Sequence, residues 1–311
     1  MLFAIFLFIS YYNRIMKKTP FIIIFDIDKA IIGLVDILAR EYDLLEFIYN
    51  TCKKKGINAV CPPRDVFDMQ EELKNGLLRP FVKEFIAFCN KKFKNAEVFL
   101  YTNSAYDWTN NALGKNIEKA LNIKVNRPFF TRENSISNVK WKKSLANIYP
   151  TIIKSLHKKY PAMNDDKISE YVFNNRTIFV DDVKDNIFAY TSRQLVCPEY
   201  KYWYYYDVYD KLITKYKMSP RIFDDKDILK YMEDNSIYIY NKNGNAFQQN
   251  KEYINIANIY NMKYAELSKG NDTYFKDLIA ELSKKSVSDE CITDKNIKTI
   301  NKVIQSIQPP S

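Results

Sequence analysis

The sequence predicts an α/β protein, a three-layer α/β/α sandwich around a parallel sheet, and three short apolar runs carry that prediction. Phe21–Phe25 reads FIIIF, residues 96–101 read AEVFLY and residues 177–180 read TIFV. Each is β-branched or aromatic, continuous rather than alternating, and too short for a helix, as suits a strand buried on both faces. Helical spacing fills the gaps. In 37–55 the apolar positions Ile37, Leu38, Tyr42, Leu45, Ile48 and Tyr49 follow a 3.6-residue period. In 81–93, Phe81, Val82, Phe85, Ile86 and Phe88 do the same. Strands alternating with helices imply parallel pairing through crossovers. After Tyr200 a Tyr/Trp cluster, YKYWYYYDVY at 200–209, leads into helical patterns near 207–217, 225–234, 251–268, 273–285 and 294–307. The expected organisation is an apolar N-terminal segment (1–18), an α/β domain (19–200) and a mostly helical C-terminal extension (201–311).

Composition removes several function classes. The chain has 311 residues, one histidine (His157) and six glycines. One imidazole cannot build a multi-histidine zinc or dinuclear centre. The glycines lie too far apart for either GxGxxG or GxxxxGK[ST], so dinucleotide and P-loop chemistry are unsupported. Cys52, Cys61, Cys89, Cys197 and Cys291 form no CxxC and no C-x5-R loop. Scattered thiols of odd number suit a reducing compartment, so an intracellular site, cytoplasm or nucleus, is expected. Net charge is +10, and nine of those charges lie before residue 199. Such a field favours a polyanionic partner: a phosphorylated protein, nucleic acid or an acidic membrane face. Residues 1–12 (MLFAIFLFISYY) are apolar and precede Asn13, Arg14, Lys17 and Lys18. As a helix they reach roughly 18 Å, short of the ~30 Å hydrocarbon core. They read as an interfacial or anchoring segment, or as a packed helix.

Chemistry gathers at the strand ends, where open α/β sheets bind ligands. The first run ends in Asp26-Ile27-Asp28, the second in Thr102-Asn103-Ser104, and the third in Asp181-Asp182, with Asp185-Asn186 close behind. Alternation puts Asp26 and Asp28 on one side. Adjacent carboxylates repel, and Mg²⁺ relieves the repulsion through an all-oxygen site. A carboxylate beside such an ion can attack phosphorus, while a second acid handles the proton of the leaving oxygen.

This order, an apolar strand then DxD, an apolar strand then TxS, a lysine, and an apolar strand then DD, resembles the haloacid dehalogenase superfamily. It is more closely similar to the FCP/SCP-type, or NLI-interacting-factor-like, phosphatases of the RNA polymerase II C-terminal domain and other phosphoproteins; proteins of this kind also occur in large DNA viruses. Arg79-Pro80, FLYTNS at 99–104, FTRE at 130–133, WKKSL at 141–145 and VDD at 180–182 carry the resemblance, over roughly 21–198. It implies a Mg²⁺-dependent phosphoserine/threonine phosphatase working through an aspartyl-phosphate. Asp26 would be the nucleophile and Asp28 the general acid/base. Thr102, Asn103 and Lys143 would bind phosphate, with Lys140 and Lys142 competing for the lysine's place. Asp26, the Asp28 carbonyl and Asp182 would hold Mg²⁺, with Asp181 and Asp185 in support. The family's DxDxTL becomes Asp28-Lys29-Ala30-Ile31 here, which loses a hydroxyl and adds a cation. Two other readings follow. A nucleotide or polynucleotide phosphatase on the same fold would suit the basic charge. A catalytically weak binding module would suit Ala30 and Lys29.

Overall fold

A computed structural model describes residues 18–33, 35–56, 68–136, 142–200, 225–235 and 272–307. They group into two compact units: Met1–Ile31, Leu78–Tyr200 and Asp272–Ser311 supply the first, Ile32–Leu77 and Lys201–Asn271 the second. Most of the Tyr/Trp cluster, residues 1–12, Cys61 and Lys140 lie outside the described residues. No helix among the described residues is long and apolar enough to cross a membrane.

The first unit holds the parallel sheet. Its strands are β1 (Phe21–Phe25), β2 (Ala96–Leu100), β3 (Thr177–Asp181) and β4 (Gln194–Val196), in the order β2-β1-β3-β4. All pairings are parallel. All five residues of β1 are buried, because both neighbours and both faces cover them. Ile22 and Ile24 face one layer with Phe99, Tyr101 and Phe179. There they meet Leu145, Ile148, Ile152 and Leu156 of one helix (Leu145–Leu156), and Val172 and Phe173 of another (Asp166–Asn175). Phe21 and Phe25 face the opposite layer. Phe21 stacks on Phe93 at 4.0 Å between centroids, and Phe25 lies edge-on to Phe85 and Phe275. Those partners belong to helices Val82–Phe93 and Tyr274–Leu282. The expected three-layer sandwich is thus present, and period-2 alternation along β1 builds it.

In chain order the longer helices are α1 (Val35–Lys54), α2 (Val82–Phe93), α3 (Gly114–Leu121), α4 (Leu145–Leu156), α5 (Asp166–Asn175), α6 (Lys226–Asp234), α7 (Tyr274–Leu282) and α8 (Asp294–Ile307). Side-chain caps start several of them. Ser144 accepts from the Asn147 N–H at α4, and Asp165 from Lys167 and Ile168 at α5. His157 closes α4 as its C-cap.

The helical patterns at 273–285 and 294–307 are real, but these helices group with the sheet. The Asn301 side chain of α8 accepts from the Val196 N–H at 3.0 Å and donates to Gln194 O at 2.8 Å. It thereby occupies the open edge of β4 as a neighbouring strand would. Arg79, almost fully buried, forks onto Asp272 just before α7. In the second unit α1 meets α6, where Phe47 stacks on Tyr231 at 4.0 Å and Lys55 reaches Asp225 and Asp227.

Candidate active site

The carboxyl ends of β1, β2 and β3 lie side by side, with β1 in the middle. That order brings Asp26, Thr102 and Asp181-Asp182 to one pole of the sheet, although 155 residues separate Asp26 from Asp181 in sequence.

Lys143 is the centre of the arrangement. Its ammonium lies 2.6 Å from Asp26 Oδ1 and 2.9 Å from Asp181 Oδ2, and its side chain is 1% exposed. Its backbone is pinned: the N–H donates to Asn186 O and the carbonyl accepts from the Phe188 N–H. The loop after β3 therefore sets the lysine's position. Of the two competing lysines among the described residues, Lys143 is the one that reaches the aspartates, and Lys142 is half-buried.

Asp26 is 6% exposed, and Oδ1 accepts both the Lys143 ammonium and the Ile27 N–H at 2.7 Å. Burial pushes its carboxyl well above the usual range; Lys143 pulls down, and Asp181, Asp182 and Asp28 push up. Burial, then the charge of Asp181, lifts Asp182 to about 6. For Lys143, burial acts downward, but the charges of Asp181 and Asp26 outweigh it and hold the ammonium above its ordinary range.

Carboxylate oxygens of Asp26, Asp181 and Asp182 lie within 4.8 Å of one another. Three acids facing one ammonium leave net negative charge, and the donors are all oxygen. That chemistry fits a hard divalent cation. The three are not equivalent. Asp181 Oδ1 accepts from the Val183 N–H and from Asn186; Oδ2 accepts from Lys143 and Asn186. Both its oxygens are engaged, which leaves Asp26 and Asp182 better placed to hold a cation, while Asp181 pairs with the lysine.

Asp28 is half-buried and sits apart from this triad, against the loop after β2. Its Oδ2 accepts from Thr102 Oγ1 at 3.1 Å and from Ser104 Oγ at 3.0 Å. Asn103 faces another way: Oδ1 accepts from Ser135 Oγ, and its carbonyl from Arg132 Nε. Asp185 is exposed in a turn at φ 59°, outside the carboxylate group, and no helix follows for it to cap. Asn186 next to it does the supporting, with bonds to both Asp181 oxygens. Lys29 stands at φ 60° with its ammonium 2.6 Å from Glu199. Ala30 is fully buried, and its carbonyl takes an N–H of Arg79 at 3.0 Å. The same nitrogen, Nη1, which is free of the fork onto Asp272, also donates to Pro198 O at 2.9 Å. Arg79 thus ties the turn after the aspartates to two other segments of its unit. Ser104 and Asn186 are the residues that sequence reasoning left without a role; a hydroxyl two positions beyond Thr102 was the available signal.

No family model matches the chain, and no curated protein matches it. Among solved structures, one similar chain is described as "The Structure of Fcp1, an essential RNA polymerase II CTD phosphatase". The match has 16% identity and a TM-score of 0.33, and covers 96% of this chain and 64% of that one. This chain therefore spans less than two thirds of that protein's length. At that TM-score the likeness decides nothing by itself; the sheet order and the carboxylate geometry carry the description of the site.

Proposed function

We propose that the protein is a metal-dependent phosphomonoester hydrolase that works through an aspartyl-phosphate at Asp26 and takes phosphoserine or phosphothreonine in a protein as substrate. The observation that carries this reading is Lys143, buried between Asp26 and Asp181 at the carboxyl ends of adjacent parallel strands. A buried ammonium pinned to a carboxylate opposes the protonation that burial favours and supplies positive charge where a phosphoryl group arrives.

In the forward step an Asp26 oxygen forms a bond to phosphorus as the bond to the substrate's leaving oxygen breaks. Both described partners of Asp26 sit on Oδ1, so Oδ2 is the oxygen assigned to the attack. The leaving oxygen takes a proton from Asp28. In the second step Asp28 accepts a proton from water, the water oxygen bonds to phosphorus, and the Asp26–phosphorus bond breaks, giving inorganic phosphate. Asp26 and Asp182 would hold Mg²⁺, with the Asp28 carbonyl as the third protein oxygen that the family resemblance implies. The ion supplies charge neutralisation on the phosphoryl oxygens.

The preference for phosphoprotein rests on the FCP/SCP-like flanks at Arg79-Pro80, 99–104, 130–133 and 141–145. The basic charge favours a second reading, a phosphorylated polynucleotide as substrate. One experiment separates them. The full chain with Mg²⁺ is given a phosphoserine peptide and, separately, a 3′- and a 5′-phosphorylated oligonucleotide, and phosphate release is measured. Release from the peptide alone supports the proposal; release from the oligonucleotides alone replaces it with the second reading.

A further inference from the structure

Asp28 is held in an unusual way for a group that must hand a proton to substrate. A carboxylate turns about a broad torsion with no sharp rotameric well, so its plane must be set by its partners. Here two hydroxyls, Thr102 Oγ1 and Ser104 Oγ, both donate to the same oxygen, Oδ2, at 3.1 and 3.0 Å. Thr102 is fully buried and β-branched, which fixes its own torsion. Its Oγ1 also accepts the Ser104 N–H at 3.1 Å. The single Thr102 proton is therefore committed to Asp28, and the main chain of Ser104 fixes its lone pair. Ala30, close behind Asp28 in the same turn, is buried and has no hydroxyl to offer. Both hydroxyls come from the loop after β2.

We propose that Thr102 and Ser104 are positioning residues for Asp28, and that the Thr102 hydroxyl acts on this carboxylate rather than on the phosphoryl group. The proposal rests on the phosphatase reading above. Its consequence is selective. Orientation of Asp28 matters for the step in which the P–O bond breaks and the departing oxygen receives the Asp28 proton. A poor leaving group, such as the alkoxide of a serine, needs that proton; a dinitrophenolate leaves without it.

The test compares kcat/KM, which reports the steps through phosphoryl transfer to Asp26, for a phosphoserine peptide and for 2,4-dinitrophenyl phosphate. For Ser104→Ala, kcat/KM on the peptide falls about 10- to 100-fold further than on the aryl phosphate, the scale of a misplaced catalytic group. Thr102→Val, which keeps the shape and loses the hydroxyl, shows the same asymmetry. Ser104→Thr restores the peptide activity. Equal losses on both substrates mean phosphate binding or plain structural damage, and overturn the proposal. Unchanged activity on both overturns it as well. If the wild-type protein hydrolyses neither substrate, the phosphatase reading fails; the crystal structure of Ser104→Ala then decides the clamp alone. A reoriented Asp28 carboxylate keeps the positioning claim, and an unmoved one removes it.

Discussion

Replacing Lys143 with Met removes the only ammonium that touches the buried aspartates among the described residues while keeping the stem's bulk. At 2.6 Å and an effective dielectric near 20, each unit pair is worth about 6 kcal/mol of gross attraction. Desolvation of three buried groups offsets much of that. Removing one partner from a buried pair typically costs about 3–5 kcal/mol, because a charge is left uncompensated. The cost must depend on pH. In the variant, the Asp26 carboxyl loses its one strong downward influence and moves further above its unfolded value. The folded state then binds the proton more tightly than the unfolded one. Stability is retained at low pH and lost as pH climbs from the unfolded value, about 4, toward the folded one. Urea unfolding midpoints of Lys143→Met and wild type, both in EDTA, should therefore differ little at pH 4.5 and by the full amount at pH 8. An equal loss at both pH values, or no loss at pH 8, would refute the reasoning.

Three further outcomes follow from the same geometry. Metal ligands must be deprotonated to bind, so with Asp182 at about 6 the Mg²⁺ affinity measured by calorimetry should rise as pH increases from 5 to 7; a flat profile would exclude Asp182 as a ligand. In Arg79→Met the buried fork onto Asp272, Ala30 O and Pro198 O is lost, which should cost about 3–5 kcal/mol and show as a lower Tm. A wild-type Tm would mean this clamp is dispensable. At Gly114 a Cβ would sit 2.4 Å from the Phe129 ring, so Gly114→Ala should cost about 1–3 kcal/mol in denaturant unfolding, and a smaller Phe129→Leu partner should recover part of it.

How much of this was legible in the sequence depends on what kind of physics placed each residue. β1 occupies Phe21–Phe25, the apolar run itself, because a strand covered on both faces leaves no polar position. β2 and β3 were readable from their apolar runs, each within a residue, although Glu97 and Thr177 place polar side chains in them. β4 was not: three residues, Gln194–Val196, carry too little pattern, and the edge is held by a side chain from α8. The amphipathic periods of α7 and α8 were visible, but their destination was not, since period reports which face is buried and not against what. Asp26, Asp28 and Asp181-Asp182 were legible as polar residues closing apolar strands. Lys143 was readable only through the family resemblance. Nothing in a run of three lysines says which is buried; the bridge to the loop after β3 decides it. The hold on Asp28 was illegible for a related reason. It depends on a loop folding back so that Thr102 and Ser104 share one oxygen.

The proposed attack of Asp26 on phosphorus, with a metal ion's help, can be tested directly. The most direct measurement is hydrolysis of p-nitrophenyl phosphate by the full chain with Mg²⁺ and with EDTA, beside Asp26→Asn. Turnover is expected with Mg²⁺, none with EDTA, and none in a folded Asp26→Asn protein. Turnover that survives Asp26→Asn, or a well-folded wild-type protein with no metal-dependent turnover at all, would contradict it.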